Sequence, residues 1–130
     1  MDTRTALVIE EEFGIRQLFT DLLALEDIEV KAYASPEAYY RANDKHWCRR
    51  NPCPCHDFML IDKRMPNLSG FDFLHKLKEQ GCQFNSRRIA VLSGDWTNED
   101  LKAALEGGYK VLEKPCSVAT ILAWIRETDQ

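Results

Sequence analysis

The chain contains no apolar run that approaches the about 20 residues a helix needs to cross a bilayer. Basic residues are not in excess either, because 17 Lys and Arg face 21 Asp and Glu and the net charge is −4. The positive surface on which nucleic acids bind is therefore not expected. Residues 1–5 lack the apolar segment and the small-residue cleavage site of an export signal. We expect a cytoplasmic protein that binds neither membrane nor nucleic acid directly.

Linkers, internal repeats and low-complexity tracts are also missing from the sequence. With 130 residues, the chain has the length of one domain and can bury one continuous core. We therefore predict a single domain over residues 1–130, with an irregular segment at about 44–57 that carries cysteine and histidine.

Short apolar runs alternate with amphipathic helical patterns, which predicts parallel strands joined by crossover helices. The helix signals include hydroxyl residues at the starts of helices and apolar residues at helical spacing, the first helix having Ile15, Leu18, Phe19, Leu22 and Leu23. The predicted strands are residues 5–9, 28–34, 58–62, 88–92 and 109–113, and the predicted helices are 13–25, 35–43, 70–79, 97–108 and 117–125. The sequence thus predicts an α/β fold, a five-stranded parallel sheet covered by helices on both faces.

Polar residues end or follow four of the predicted strands. Glu10 and Glu11 follow the first strand, Asp62 ends the third, and Ser93 and Lys114 follow the fourth and fifth. Because the carboxyl ends of parallel strands meet at one edge of a sheet, we expect these side chains to converge there. Clustered carboxylates suit a hard cation such as Mg²⁺. A carboxylate can also attack a phosphoryl group whose oxygens an ammonium and a hydroxyl contact.

Four segments, in this order, resemble the receiver domain of two-component response regulators. Residues 8–11 (Val-Ile-Glu-Glu) are similar to that family's first strand and acidic pair. Residues 60–70 (Leu-Ile-Asp-Lys-Arg-Met-Pro-Asn-Leu-Ser-Gly) are similar to its phosphoacceptor segment, with Met-Pro three residues and a glycine eight residues after Asp62. Residues 91–94 and 112–115 are similar to the segments that carry the family's switch hydroxyl and its lysine–proline pair.

The resemblance implies a bacterial two-component system protein with a flavodoxin-like, doubly wound (βα)5 receiver fold. It implies that Asp62 accepts a phosphoryl group from a sensor histidine kinase or a phosphotransfer protein, and that the domain is a switch rather than an enzyme. Ser93 and Lys114 are implied to contact the phosphoryl group, and Pro115 to follow a cis peptide bond. Mg²⁺ is the implied cofactor, with ligands from Glu10, Glu11, Asp62 and the backbone carbonyl of Lys63.

Two features depart from the family pattern. The acidic pair usually includes an aspartate, whereas Glu10 and Glu11 each carry an extra methylene that lengthens the side chain by about 1.5 Å. Val111 lies where the family usually has the switch aromatic residue.

Because no output domain follows residue 130 in this sequence, we expect signalling through an unknown downstream protein. A phosphorylation-independent interaction module is the alternative interpretation.

The segment from Asp44 to His56 is longer than the family's usual connection at this place. It contains Cys48, Cys53, Cys55 and His56, which are residue types that bind Zn²⁺. The spacing, Cys-x4-Cys-x-Cys-His, matches no standard zinc finger or ribbon, and a loop with incidental thiols explains it as well. A zinc site or a pair of redox-sensitive cysteines stays open as a further alternative. The total of five cysteines does not suit a disulfide framework.

Overall fold

The computed structural model describes residues 3–48 and 55–128, and its element order confirms the predicted alternation of strands and helices. The strands are β1 Arg4–Ile9, β2 Ile28–Tyr33, β3 Phe58–Asp62, β4 Ile89–Ser93 and β5 Lys110–Glu113. The helices are α1 Phe13–Leu25, α2 Pro36–Ala42, α3 Gly70–Glu79, α4 Asn98–Gly107 and α5 Val118–Thr128. A short 3-10 helix over Ser86–Arg88 precedes β4, so this strand begins at Ile89 rather than at the predicted Arg88.

The five strands pair in parallel in the order β2-β1-β3-β4-β5, which confirms the predicted α/β fold. The chain moves from β1 outward to β2 and then crosses back to β3, so the winding direction reverses between β1 and β3. In open parallel sheets, ligands bind beyond the carboxyl ends of the strands at such a reversal. Glu10 follows β1 and Asp62 ends β3, so both lie at this point.

The core lies in two layers, one on each face of the sheet. The first layer places alternate residues of β1, β3 and β4 against α1 and α5, and the second places the intervening residues against α2 and α3. In α1, the buried residues are Phe19, Leu22 and Leu23, whereas Leu18 is 47% exposed, which corrects the predicted apolar face. Leu18 lies roughly 90° around the helix from the centre of the buried face.

Local caps position the helices as predicted. The Ser35 hydroxyl accepts a hydrogen bond from the Ala38 backbone at the start of α2, and Thr97 forms a reciprocal capping box with Asp100 at the start of α4. Gly108 ends α4 with a φ of 78°, a conformation that glycine adopts without a steric penalty. Within residues 3–48 and 55–128, none of the helices combines the length and the hydrophobicity that a membrane span requires.

Candidate functional site

Three charged side chains meet at the carboxyl edge of the sheet. The Lys114 ammonium donates to Glu10 Oε1 at 2.5 Å and lies 3.3 Å from Asp62 Oδ2. Glu10 and Asp62 are buried, while the Lys114 side chain is 23% exposed and borders an open cleft of about 380 Å³. Glu11 and Glu12 line the same cleft. The sheet order thus brings the predicted phosphoacceptor, one acidic residue and the predicted lysine into direct contact.

The charged groups in this cleft shift one another's pKa values. Burial and the neighbouring Asp62 carboxylate raise the pKa of Glu10 to about 7, although the Lys114 ammonium acts in the opposite direction. Burial alone lowers the pKa of Lys114, but the hydrogen bond to Glu10 and the Asp62 charge outweigh it and raise that pKa. Glu10 Oε2 is buried and has no hydrogen-bond partner in the described part of the chain. A buried oxygen without a donor beside a second carboxylate favours a proton or a cation.

Glu11, the second member of the predicted acidic pair, is exposed. Its backbone carbonyl and that of Glu10 accept hydrogen bonds from the Arg16 guanidinium at 3.1 and 2.7 Å, which holds the turn between β1 and α1. Among the described residues, no three carboxylate, imidazole or thiol side chains form a metal-binding group. The predicted set of Glu10, Glu11 and Asp62 is therefore not drawn together in this structure, because Glu10 turns toward Lys114 and Glu11 toward solvent.

Backbone hydrogen bonds hold the loop after Asp62 in place. The Lys63 amide donates to the Leu92 carbonyl at 2.7 Å, and the Lys63 carbonyl accepts from the Gly70 amide at 2.9 Å. A Cβ atom on Gly70 would lie 2.5 Å from the Asp62 carbonyl oxygen, so only glycine allows this close approach. The predicted carbonyl ligand of Lys63 thus already accepts one hydrogen bond and keeps a second lone pair.

The side chain of Lys63 lies beside the site in a position that its sequence context does not predict. It is 5% exposed, and its ammonium donates to the Asp95 carbonyl and to the Asp100 carboxylate of α4. The ammonium also lies 5.2 Å from the centre of the Trp96 ring. The hydrogen bond from Lys63 lowers the pKa of Asp100. We name this ion pair the Lys63–Asp100 clamp, because it joins the loop after Asp62 to the start of α4.

Ser93, the predicted switch hydroxyl, is buried at the end of β4 and bonds within its own loop. Its Oγ donates to the Asp95 carbonyl at 3.2 Å and accepts from the Asp95 amide at 3.1 Å. The Asp95 carboxylate forms an ion pair with Arg64, whose side chain is 66% exposed. The Asp95 carbonyl oxygen therefore accepts hydrogen bonds from both the Ser93 hydroxyl and the Lys63 ammonium.

At the end of β5, the Lys114–Pro115 peptide bond is cis. The Lys114 amide donates to the Ser93 carbonyl at 3.0 Å, which ties this segment to β4. Val111 is half-buried in β5. The strand begins at Lys110 and not at the predicted Tyr109, whose ring contacts the rings of Phe71 and Phe84.

The Cys/His segment precedes β3, so its described residues lie near the amino-terminal ends of the strands, whereas Asp62 lies at their carboxyl ends. Cys48 Sγ and Cys55 Sγ are 3.7 Å apart. His56 is buried, with Nε2 3.4 Å from the Tyr39 hydroxyl, and burial lowers its pKa to about 4. Cys53 lies outside the described residues. Within the described ones, His56 faces Tyr39 and belongs to no metal-binding group with the thiols, so the predicted zinc site stays a prediction.

Comparison with known proteins assigns the class. The profile of the response regulator receiver domain family matches residues 6–126. Because this match spans most of the chain, the protein belongs to the response regulator receiver domain family. Receiver domains are phosphoacceptor switches of two-component systems that interact with histidine kinases or phosphotransfer proteins, and they generally bind Mg²⁺ at an acidic site.

Individual relatives agree with this assignment. The two-component response regulator PhoP of Pseudomonas aeruginosa is 30% identical over 94 residues, which are 72% of this chain and 37% of that protein. The chain thus spans little more than a third of this relative. The structure of chemotaxis protein CheY4 of Vibrio cholerae superposes with a TM-score of 0.76 at 20% identity, over 97% of this chain and 98% of that one. A response regulator receiver protein of Pseudomonas putida gives 0.76 at 19% identity over 98% of each chain. At these identities, the structures show the shared fold alone.

Proposed function

We propose that this receiver domain takes a phosphoryl group onto Asp62 from the phosphohistidine of a sensor kinase or a phosphotransfer protein. The observation that carries the proposal is the contact among Asp62, Glu10 and Lys114 at the edge of an open cleft. The cleft gives a donor access to the Asp62 carboxylate, and Lys114 supplies a positive charge for the oxygens of the incoming group.

In the transfer step, a carboxylate oxygen of Asp62 attacks the phosphorus atom. The new O–P bond forms as the P–N bond to the donor imidazole breaks, and the imidazole nitrogen keeps that electron pair. No proton has to leave Asp62, since this residue reacts as the carboxylate. The domain contributes mainly position and charge, which are the principal sources of rate in phosphoryl transfer.

The residues present fit a Mg²⁺ ion in chemical type. Glu10, Asp62 and the Lys63 carbonyl supply oxygen donors, and the buried Glu10 Oε2 has no competing hydrogen bond among the described residues. Glu11 is exposed and borders the cleft, so its longer side chain can turn inward. When bound, Mg²⁺ supplies positive charge that offsets the charge on the phosphoryl oxygens. Lys114 has to give up Glu10 Oε1 to reach these oxygens.

The Asp95 backbone offers a route from Asp62 to the outer surface. If Ser93 turns toward a phosphoryl group on Asp62, its two hydrogen bonds to Asp95 are lost. The Asp95 carbonyl also accepts from Lys63, whose ammonium holds α4 through Asp100. We expect the Asp95 backbone to shift when these bonds are lost and to move the Lys63–Asp100 clamp and the start of α4 with it, which alters binding of a downstream protein.

The test is the intact mass of the protein after incubation with acetyl phosphate and Mg²⁺, beside Asp62→Asn as the matched control. We expect one phosphoryl group on wild type, none on Asp62→Asn, and none on wild type in excess EDTA. Circular dichroism establishes that both proteins are folded. Folded wild type that gains no phosphoryl group from any small donor overturns the proposal and favours a phosphorylation-independent interaction module.

A further inference from the structure

Two thiols are in contact near the amino-terminal end of β3, the end opposite to Asp62. Cys48 follows α2 and Cys55 precedes β3, and their sulfur atoms lie 3.7 Å apart. We propose that Cys48 and Cys55 form a reversible disulfide when the protein is exposed to a hydroperoxide, so that this pair is a redox modification site. The proposal does not depend on phosphorylation, because β3 separates the pair from Asp62.

The geometry needs only a small change. A disulfide has an S–S distance of about 2.05 Å, so the two sulfur atoms have to approach by about 1.7 Å. Rotation about the side-chain bonds of two cysteines covers such a distance, and the pair is separated by only seven positions in the sequence. A covalent bond here closes the connection between α2 and β3.

The residues next to each cysteine are held by the core, which keeps the two thiols near one another. Trp47 contacts the rings of Tyr40 and Phe73, with centroid distances of 4.5 and 5.8 Å. His56 contacts the Tyr39 ring at 5.9 Å, and the Tyr39 hydroxyl donates to the Trp47 carbonyl at 3.3 Å. Tyr39 thus links both sides of the thiol pair.

Their burial assigns the two cysteines different parts in the oxidation. Cys55 is half-buried and Cys48 is 4% exposed, so the oxidant meets Cys55 first. With hydrogen peroxide as the oxidant, the Cys55 thiolate attacks a peroxide oxygen, the O–O bond breaks, and Cys55 becomes a sulfenic acid; the departing hydroxide takes up the proton that the Cys55 thiol released and leaves as water. The Cys48 thiolate then attacks this sulfur, the S–O bond breaks, and the departing hydroxide takes up the proton from the Cys48 thiol and leaves as a second water. Two thiols lose two electrons, and one peroxide gains them.

Cys116 provides a matched control in the same chain. It lies after β5, next to the layer of α1 and α5, and so on the opposite face of the sheet from Cys48 and Cys55. Burial raises its pKa, which reduces the fraction of reactive thiolate. Cys82 is buried in the same layer as Cys48 and is the competing thiol to be examined.

The test is peroxide treatment of the purified, metal-free protein, followed by alkylation of the remaining thiols, intact mass and peptide mapping. We expect alkylation to fall from five thiols to three, with a Cys48–Cys55 cross-link that dithiothreitol reverses. The link forms equally in Cys116→Ser, Cys53→Ser and Asp62→Asn, and is lost in Cys48→Ser and Cys55→Ser. Mapping the link in wild type gives the answer even if a serine variant fails to fold.

Three results overturn the proposal. One is five alkylated thiols after peroxide treatment, and another is a link that maps to Cys53 or Cys82 instead. The third is one tightly bound zinc ion per protein as purified, lost on substitution of Cys48 or Cys55, since the pair is then a metal site. Loss of phosphorylation in Asp62→Asn with normal disulfide formation keeps the two proposals separate.

Discussion

We predict that Asp100→Asn destabilises the domain more than Lys63→Met does, although both substitutions break the Lys63–Asp100 clamp. The two partners differ in their access to water, because the Lys63 side chain is 5% exposed and that of Asp100 is 27% exposed. A carboxylate left alone at the surface is rehydrated, whereas an ammonium left alone in the interior is not.

The magnitudes follow from what each variant leaves behind. Lys63→Met gives up the hydrogen bonds of one cation but fills the same space against Trp96, which costs about 1–2 kcal/mol. Asp100→Asn leaves the ammonium with neutral partners, namely the Asp95 carbonyl, the amide oxygen of the introduced asparagine and the Trp96 ring. Such an uncompensated buried charge costs about 3–4 kcal/mol. Asparagine keeps an oxygen for the helix cap with Thr97, so the cap contributes little to the difference.

The assay is urea unfolding of wild type, both single variants and the double variant at pH 7. The double variant contains neither charge, so its stability is expected to match that of Lys63→Met, with a coupling energy of about 3–4 kcal/mol, the full cost of Asp100→Asn. The matched control is the exposed Arg64–Asp95 pair, whose side chains are 66% and 62% exposed. Arg64→Met changes stability by less than about 0.5 kcal/mol. Additive effects, or a larger loss in Lys63→Met than in Asp100→Asn, refute the reasoning.

Two further predictions concern Gly70 and His56. Gly70→Ala places a Cβ atom about 2.5 Å from the Asp62 carbonyl oxygen. We therefore expect the free energy of unfolding, measured by thermal unfolding, to fall by about 1–3 kcal/mol, and phosphorylation to be slower. A variant with wild-type stability and a wild-type phosphorylation rate contradicts the steric argument. The pKa of His56 is lowered to about 4 in the folded state, so wild type loses stability as pH falls from about 6.5 to 4, by up to about 3 kcal/mol relative to His56→Gln. Parallel pH profiles of these two proteins in urea unfolding show that the imidazole is not held neutral by the fold.

The strands, helices and caps were predictable because their signals are local. A buried parallel strand requires a short apolar run, and a helix start requires a capping group, as at Ser35 and Thr97. The position of Asp62 beside Glu10 and Lys114 also followed, since parallel strands bring their carboxyl ends to one edge.

The features that were not predictable depend on tertiary neighbours. Lysine is usually a surface residue, and nothing near Lys63 in the sequence indicates that Asp100, 37 positions later, neutralises its charge. The direction of the Ser93 hydroxyl is set by a turn that Asp95 closes. The exposure of Leu18 depends on how α1 is rotated against the sheet.

Glu10, where an aspartate would be shorter, neutralises part of the charge of Lys114 in this structure. Glu10 reaches Lys114 across β3 and β4 with a 2.5 Å hydrogen bond, and its extra methylene supplies about 1.5 Å of that reach. Asp62 shares the same ammonium at 3.3 Å, so the three groups satisfy much of one another's charge before any phosphoryl group arrives. Under the proposed function, a phosphoryl group on Asp62 would carry about 1.5 to 2 negative charges at neutral pH. It therefore competes well for Lys114 against a single carboxylate whose pKa is about 7. The longer acidic residue is thus compatible with a switch whose unphosphorylated state is held by the contact between Lys114 and Glu10.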